Sequence, residues 1–147
     1  MNKNILIIAP VSTTSKTSRC KGGVDAVSQV LINGIIESQD KNNYLILAFN
    51  PFNDCEKDGE TRQLKQNIKI IYYNSNRNKY RLIKIIPNFI WHNLIIRKEV
   101  LNFCPDVIHA HINSWLLFRY KFSKTILTLH SYRKIARTSC GPLNDFL

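Results

Sequence analysis

Two short β-branched and aliphatic runs, each closing on histidine, most constrain what this chain can fold into: Pro105-Asp-Val-Ile-His-Ala-His111 and Thr125-Ile-Leu-Thr-Leu-His130. Runs this short and this apolar read as strands buried on both faces of a parallel sheet. In open α/β sheets the ligand crevice lies outside the carboxyl ends of the strands. A histidine that ends such a strand therefore falls on the rim where chemistry collects. Two neighbouring strand ends are expected to bring His109, His111 and His130 to one rim.

The start of the chain supplies a third element of that rim. Asn4-Ile-Leu-Ile-Ile-Ala-Pro10 reads as a buried first strand, followed by a loop over 11–21 rich in Ser, Thr and Lys. Gly22-Gly23 then opens a helix that runs to about Glu37, with Val24, Val27, Val30, Leu31 and Ile35 at helical spacing. Paired glycines at a helix start allow close backbone approach, and the free N–H groups and dipole there favour an anion such as phosphate.

The remaining segments continue the alternation. The pattern predicts strands at 3–9, 43–50, 68–73, 106–111 and 125–130, and helices at 22–38, 79–103 and near 114–121. Pro87 is expected to kink or divide the long helix. Strands alternating with helices imply α/β architecture: a doubly wound parallel sheet, Rossmann-like, in a single domain. The domain is expected to span 1–136. Residues 137–147 show neither strand alternation nor helix period and read as an irregular tail. Residues 51–67 read as a polar surface connection. Its acidic residues Asp54, Glu56, Asp58 and Glu60 lack the full calcium-ligand pattern, so a solvated turn is expected there.

Charge and cysteine usage narrow the partners. A net charge of +11 on 147 residues calls for an anionic partner or a very basic surface. The chain has no helix-turn-helix pattern, no RNP-like aromatic strand and no zinc finger, which argues against nucleic acid. The cluster Arg77, Lys79, Arg81 and Lys84, with Tyr80, Phe89 and Trp91 nearby, could meet an anionic membrane surface; the plainer reading is a crossover helix whose basic residues are solvated. No apolar run reaches the roughly 18–20 residues of a membrane span, and the N-terminus does not read as a signal peptide. A cytoplasmic location follows, with a peripheral contact at the inner face of the membrane as its extension. Cys20, Cys55, Cys104 and Cys140 are scattered without zinc spacing and are expected to be reduced.

The histidines also have a plain reading, because a lone histidine on a strand is commonly a hydrogen-bonded core residue. Alternation points His109 and His111 to the same face and Ala110 to the other. His109, deeper in the strand, is the expected packing residue, and His111, at the tip, the better site candidate. No carboxylate or cysteine accompanies the three rim histidines, so no metal site is assigned. His92, within the long helix, carries no functional signal.

In order and approximate spacing over residues 3–131, Gly22-Gly23-Val24, Pro105 to His111 and Thr128-Leu129-His130 resemble the N-terminal domain of GT-B glycosyltransferases of family 4. The aspartate that the family places after the last histidine is Ser131 here. The resemblance implies one half of a GT-B architecture: the acceptor-side domain of a retaining, nucleotide-sugar-dependent glycosyltransferase in surface polysaccharide or lipopolysaccharide assembly. It implies no cofactor and no metal. Gly22 and Gly23 would approach the donor phosphate or sugar, His111 would lie by the reacting sugar, and His130 would support the pocket. The partners implied are a nucleotide-sugar donor and a lipid-linked or saccharide acceptor. The family holds its donor mainly through a second domain with a Glu-x7-Glu motif, which this chain does not contain. The isolated chain is therefore expected to be a truncated and inactive half. The competing reading is a non-catalytic remnant or interaction module. Two other classes fit less well. A phosphoreceiver needs acidic residues where strand one ends on Ala9-Pro10, and a Rossmann dehydrogenase needs Gly-x-Gly-x-x-Gly directly after that strand.

Overall fold

A computed structural model of the chain describes residues 2–13, 23–52, 55, 57–75, 88–112 and 122–128. Its elements are β1 (Asn4–Ala9), α1 (Gly23–Glu37), β2 (Asn43–Asn50), β3 (Glu60–Lys65), β4 (Ile68–Asn74), α2 (Asn88–Phe103), β5 (Val107–Ala110) and β6 (Lys124–Leu127). They build one six-stranded sheet in the order β3-β4-β2-β1-β5-β6. Residues 79–87 of the helix expected at 79–103, the helix expected near 114–121, residues 129–130 of the strand expected at 125–130, and the tail at 137–147 lie outside the described residues.

The central strands form for the reason their composition suggests. β1 and β2 are almost continuous runs of Ile, Leu, Ala and aromatic residues, and both are buried on two faces. Ile5 to Ala9 pair in parallel with Tyr44 to Ala48, and β2 pairs in parallel with β4 from Tyr44↔Ile68 to Asn50↔Asn74. On its other side β1 pairs in parallel with β5, and β5 with β6.

The connection expected at 51–67 contains a strand. Residues 60–65 form β3, which pairs antiparallel with β4, so the sheet is mixed at this edge. Its sequence, Glu-Thr-Arg-Gln-Leu-Lys, offers no apolar face beyond Leu64, which is why it reads as loop. Charged side chains on an edge strand discourage pairing with another chain, and β3 carries the exposed Arg62–Glu60 ion pair at 2.6 Å.

Two cores flank the sheet. On one face Ile7, Ala9, Ile46, Ala48, Ile68 and Ile70 pack with Ile32 of α1. On the other, Leu6, Ile8, Leu47, Phe49 and Ile108 pack with Ile95, Ile96 and Val100 of α2. The helices thus cover opposite faces, as in a doubly wound sheet.

The expected apolar stripe of α1 holds in part: Leu31 and Ile35 pack against the core, but its first half does not. Val27 and Val30 are exposed at 48% and 71%, whereas Asp25, Ser28 and Ile32 are the buried residues. Local hydrogen bonds allow this: Ser28 Oγ donates to Val24 O at 2.7 Å, and Asp25 is bonded as described below. α2 is described from Asn88 onward; Pro87, where a kink or division is expected, lies outside the described residues. It ends at Phe103, and Cys104 after it has a φ of 48°, the left-handed conformation common just past a helix.

Candidate functional site

The strand order fixes where a doubly wound sheet places its ligand. From β1 the chain passes through α1 to β2 on one side of β1, and α2 later returns it to β5 on the other. The order reverses between β1 and β5, and ligands of doubly wound sheets bind outside the carboxyl ends at such a switch point.

Backbone bonds fix the rim at this point. His111 N donates to Ile8 O and Thr128 N donates to Ala110 O, at 2.8 and 2.9 Å. The segments after β5 and β6 thus continue in register beside their neighbours. His109 is level with Ile7 of β1 and Ile126 of β6, which places it on the face covered by α1.

His109 and His111 lie on one face, as alternation requires, with ring centroids 4.4 Å apart and planes tilted by 40°. His109 Nε2 is 2.8 Å from Thr128 Oγ1. The burial order differs from the expected one: His111 is only 6% exposed although it lies past the end of β5, while His109 is half-buried. Depth along a strand does not set burial at this rim, because Val11 and Ser12 after β1 are buried there too. An imidazole here can donate or accept a hydrogen bond from a sugar hydroxyl, or hold a proton beside a developing charge.

The loop after β1 is fastened to α1 by a buried carboxylate. Asp25 Oδ1 accepts from Ser12 N and from Gln29 Nε2, each at 3.1 Å, and Gln29 Nε2 also donates to Ser12 Oγ at 2.8 Å. Asp25 lies in the first turn of α1, where a negative charge meets the positive end of the helix dipole. An external phosphate at this terminus would share that field with Asp25.

Of the sequence-derived site residues, His111 and Gly23 are described, and Gly22 and His130 lie outside the described residues. Gly23 opens α1, and a Cβ there would meet nothing within 4 Å, so packing among the described residues does not demand glycine. Ser12, Asp25, Gln29 and Thr128 were not singled out from the sequence. An acid in the first helical turn was a readable signal for Asp25. Thr128 belongs to the last histidine motif, but nothing in the sequence assigned its hydroxyl a partner.

A second polar cluster closes the turn after β2. Asn50 Nδ2 donates to Cys55 Sγ at 3.2 Å, Cys55 N donates to Asn74 Oδ1 at 3.1 Å, and Asn74 N donates to Asp58 Oδ1 at 2.8 Å. These groups satisfy one another and read as structural. Asp54 and Glu56 lie outside the described residues, as do Cys20, Cys140, and the basic cluster from Arg77 to Lys84. Cys55 and Cys104 are free thiols. No group of three or more metal-ligating side chains occurs among the described residues, and no described helix is long and apolar enough to cross a membrane.

No known family profile matches the chain, and no curated protein matches it. A solved structure described as trehalose-6-phosphate from E. coli bound with UDP-2-fluoro glucose superposes with a TM-score of 0.47 at 11% identity, over 98% of this chain and 37% of that one. The chain thus spans little more than a third of that structure's length.

Proposed function

We propose that this chain is the acceptor-side, N-terminal Rossmann-like domain of a retaining, nucleotide-sugar-dependent glycosyltransferase of the GT-B type, acting in surface polysaccharide or lipopolysaccharide assembly. The observation that carries the reading is the His109–His111 pair at the carboxyl end of β5, beside the switch point, on a strand introduced by Pro105-Asp-Val-Ile. In this reading His111 hydrogen-bonds the reacting sugar and stabilises charge that develops there, His130 supports the pocket, and Gly22 and Gly23 approach the donor phosphate. Catalysis is positioning and electrostatic stabilisation, with no protein nucleophile assigned. The nucleotide of the donor is held mainly by a second domain, which also closes the crevice against water.

Reconstitution tests the proposal. The purified chain alone is expected to transfer no sugar. Adding a polypeptide that carries a Glu-x7-Glu second domain, a nucleotide-sugar and a lipid-linked acceptor should restore transfer with retained anomeric configuration. His111→Ala should abolish it. Restored transfer that is indifferent to His111→Ala would refute the assignment of the site.

A further inference from the structure

We propose that Thr128 is a positioning residue for the rim histidines: its hydroxyl holds the His109 ring, and the His109 ring holds that of His111. The inference rests on the proposed glycosyltransferase reading only for the use made of His111; the relay itself stands on three pieces of geometry.

The first is register. Ile126 is level with His109 and Leu127 with Ala110, and Thr128 N donates to Ala110 O at 2.9 Å. Continuing that register places Thr128 beside His111 on the same face of the sheet, since side chains two apart share a face. The second is the hydrogen bond. Thr128 Oγ1 reaches diagonally to His109 Nε2 at 2.8 Å rather than to the ring level with it. A hydrogen bond to one ring nitrogen fixes the orientation of an imidazole, and the threonine hydroxyl can serve either tautomer by donating or accepting. The third is the ring contact. His109 and His111 are 4.4 Å apart between centroids at 40°, close enough for either ring to restrict the other's rotation.

The order of burial gives the relay its purpose. His109 is half-buried, whereas His111 is only 6% exposed, so the ring that meets solvent is held by Thr128 and the buried ring packs against it. A histidine that must aim one nitrogen at a sugar hydroxyl needs its ring angle fixed before the ligand arrives. Thr128 supplies that constraint from the neighbouring strand without itself touching the ligand.

The test uses the full 147-residue chain labelled with ¹⁵N in its histidines. In the unsubstituted protein the His109 ring signals should be sharp, as for a ring held in one orientation. Thr128→Val keeps the shape but lacks the hydroxyl; it should shift the His109 Nε2 signal and broaden the ring signals of both His109 and His111. Thr128→Ser keeps the hydroxyl and should restore both signatures, a rescue that a purely structural role for the threonine methyl would not give. Thr128→Ala removes the same hydroxyl with less bulk and serves if the valine variant folds poorly. Unchanged His111 signals in the hydroxyl-less variants, or no rescue by serine, would overturn the relay. The broader reading fails separately: if the relay is seen but reconstituted transfer ignores His111→Ala, positioning stands and the glycosyltransferase assignment falls.

Discussion

Asp25→Ala should loosen the rim from the α1 side, by an amount that the hydrogen bonds set. Asp25 is 1% exposed, and its Oδ1 accepts from Ser12 N and Gln29 Nε2. Alanine leaves the Ser12 N–H without that acceptor in a buried setting, which costs about 1–3 kcal/mol. It also removes a negative charge from the first turn of α1, worth about 0.3–1 kcal/mol. Relief from burying a carboxylate offsets part of this, and Gln29 keeps its bond to Ser12 Oγ. The net expectation is a loss of about 2 kcal/mol. With a urea slope of about 2 kcal/mol/M, that is a fall of about 1 M in the unfolding midpoint. Asp25→Asn keeps an acceptor oxygen and should cost about half as much. Urea titration followed by circular dichroism reads the midpoints, and amide exchange at Ser12 should quicken in the alanine variant. A loss below about 0.5 kcal/mol for Asp25→Ala, or a larger loss for Asn than for Ala, would refute the clasp.

Three further outcomes are expected. Ile96→Ala, at a side chain 1% exposed between α2 and the sheet, should lower stability by about 2–5 kcal/mol in the same titration while leaving the histidine spectra of the rim unchanged. At alkaline pH two tyrosines should destabilise the fold. Tyr44 is pushed up to about 12 by burial and then by its hydrogen bond to Asp40, and Tyr73 is raised by burial and then by the Glu99 carboxylate, which accepts from its hydroxyl at 3.0 Å. Both hold their protons more tightly folded than unfolded. The stability they contribute is therefore intact below the ordinary tyrosine value of 10.0 and for Tyr44 is lost as pH rises through about 12. Urea midpoints across that window should fall, and Tyr44→Phe should flatten the decline. Finally, vesicle co-sedimentation should show salt-sensitive binding to anionic but not neutral lipid, at about 1 kcal/mol for each of Arg77, Lys79, Arg81 and Lys84. Reversing those four charges without effect would make them an ordinary solvated surface.

The parts of the fold that the sequence made legible are those where one physical requirement dominates. β1 and β2 are apolar enough to demand burial on both faces, and the His109-Ala110-His111 alternation could only place both rings together. β3 was illegible because an edge strand facing water needs charge rather than hydrophobicity, and a loop has the same composition. In α1, Leu31 and Ile35 pack as their spacing suggests, but the first half of the stripe was not legible, because Asp25 and Ser28 count as polar until their local bonding partners are known. The partnership of Thr128 with His109 depends on the register between β5 and β6, which no single strand encodes.

In the proposed reading, the rim between the ends of β1 and β5 binds a sugar through His111. Backbone and histidine ¹H–¹⁵N spectra of the full chain, recorded during titration with a panel of methyl glycosides, which need no second domain to hold a nucleotide, give the decisive test. Shifts should cluster at Ser12, Gly23, Asp25, His109, His111 and Thr128, and vanish in His111→Ala. Shifts confined instead to the shallow groove on the opposite face, lined by Leu45, Lys69, Glu99 and Phe103, or no shifts at the rim, would contradict it.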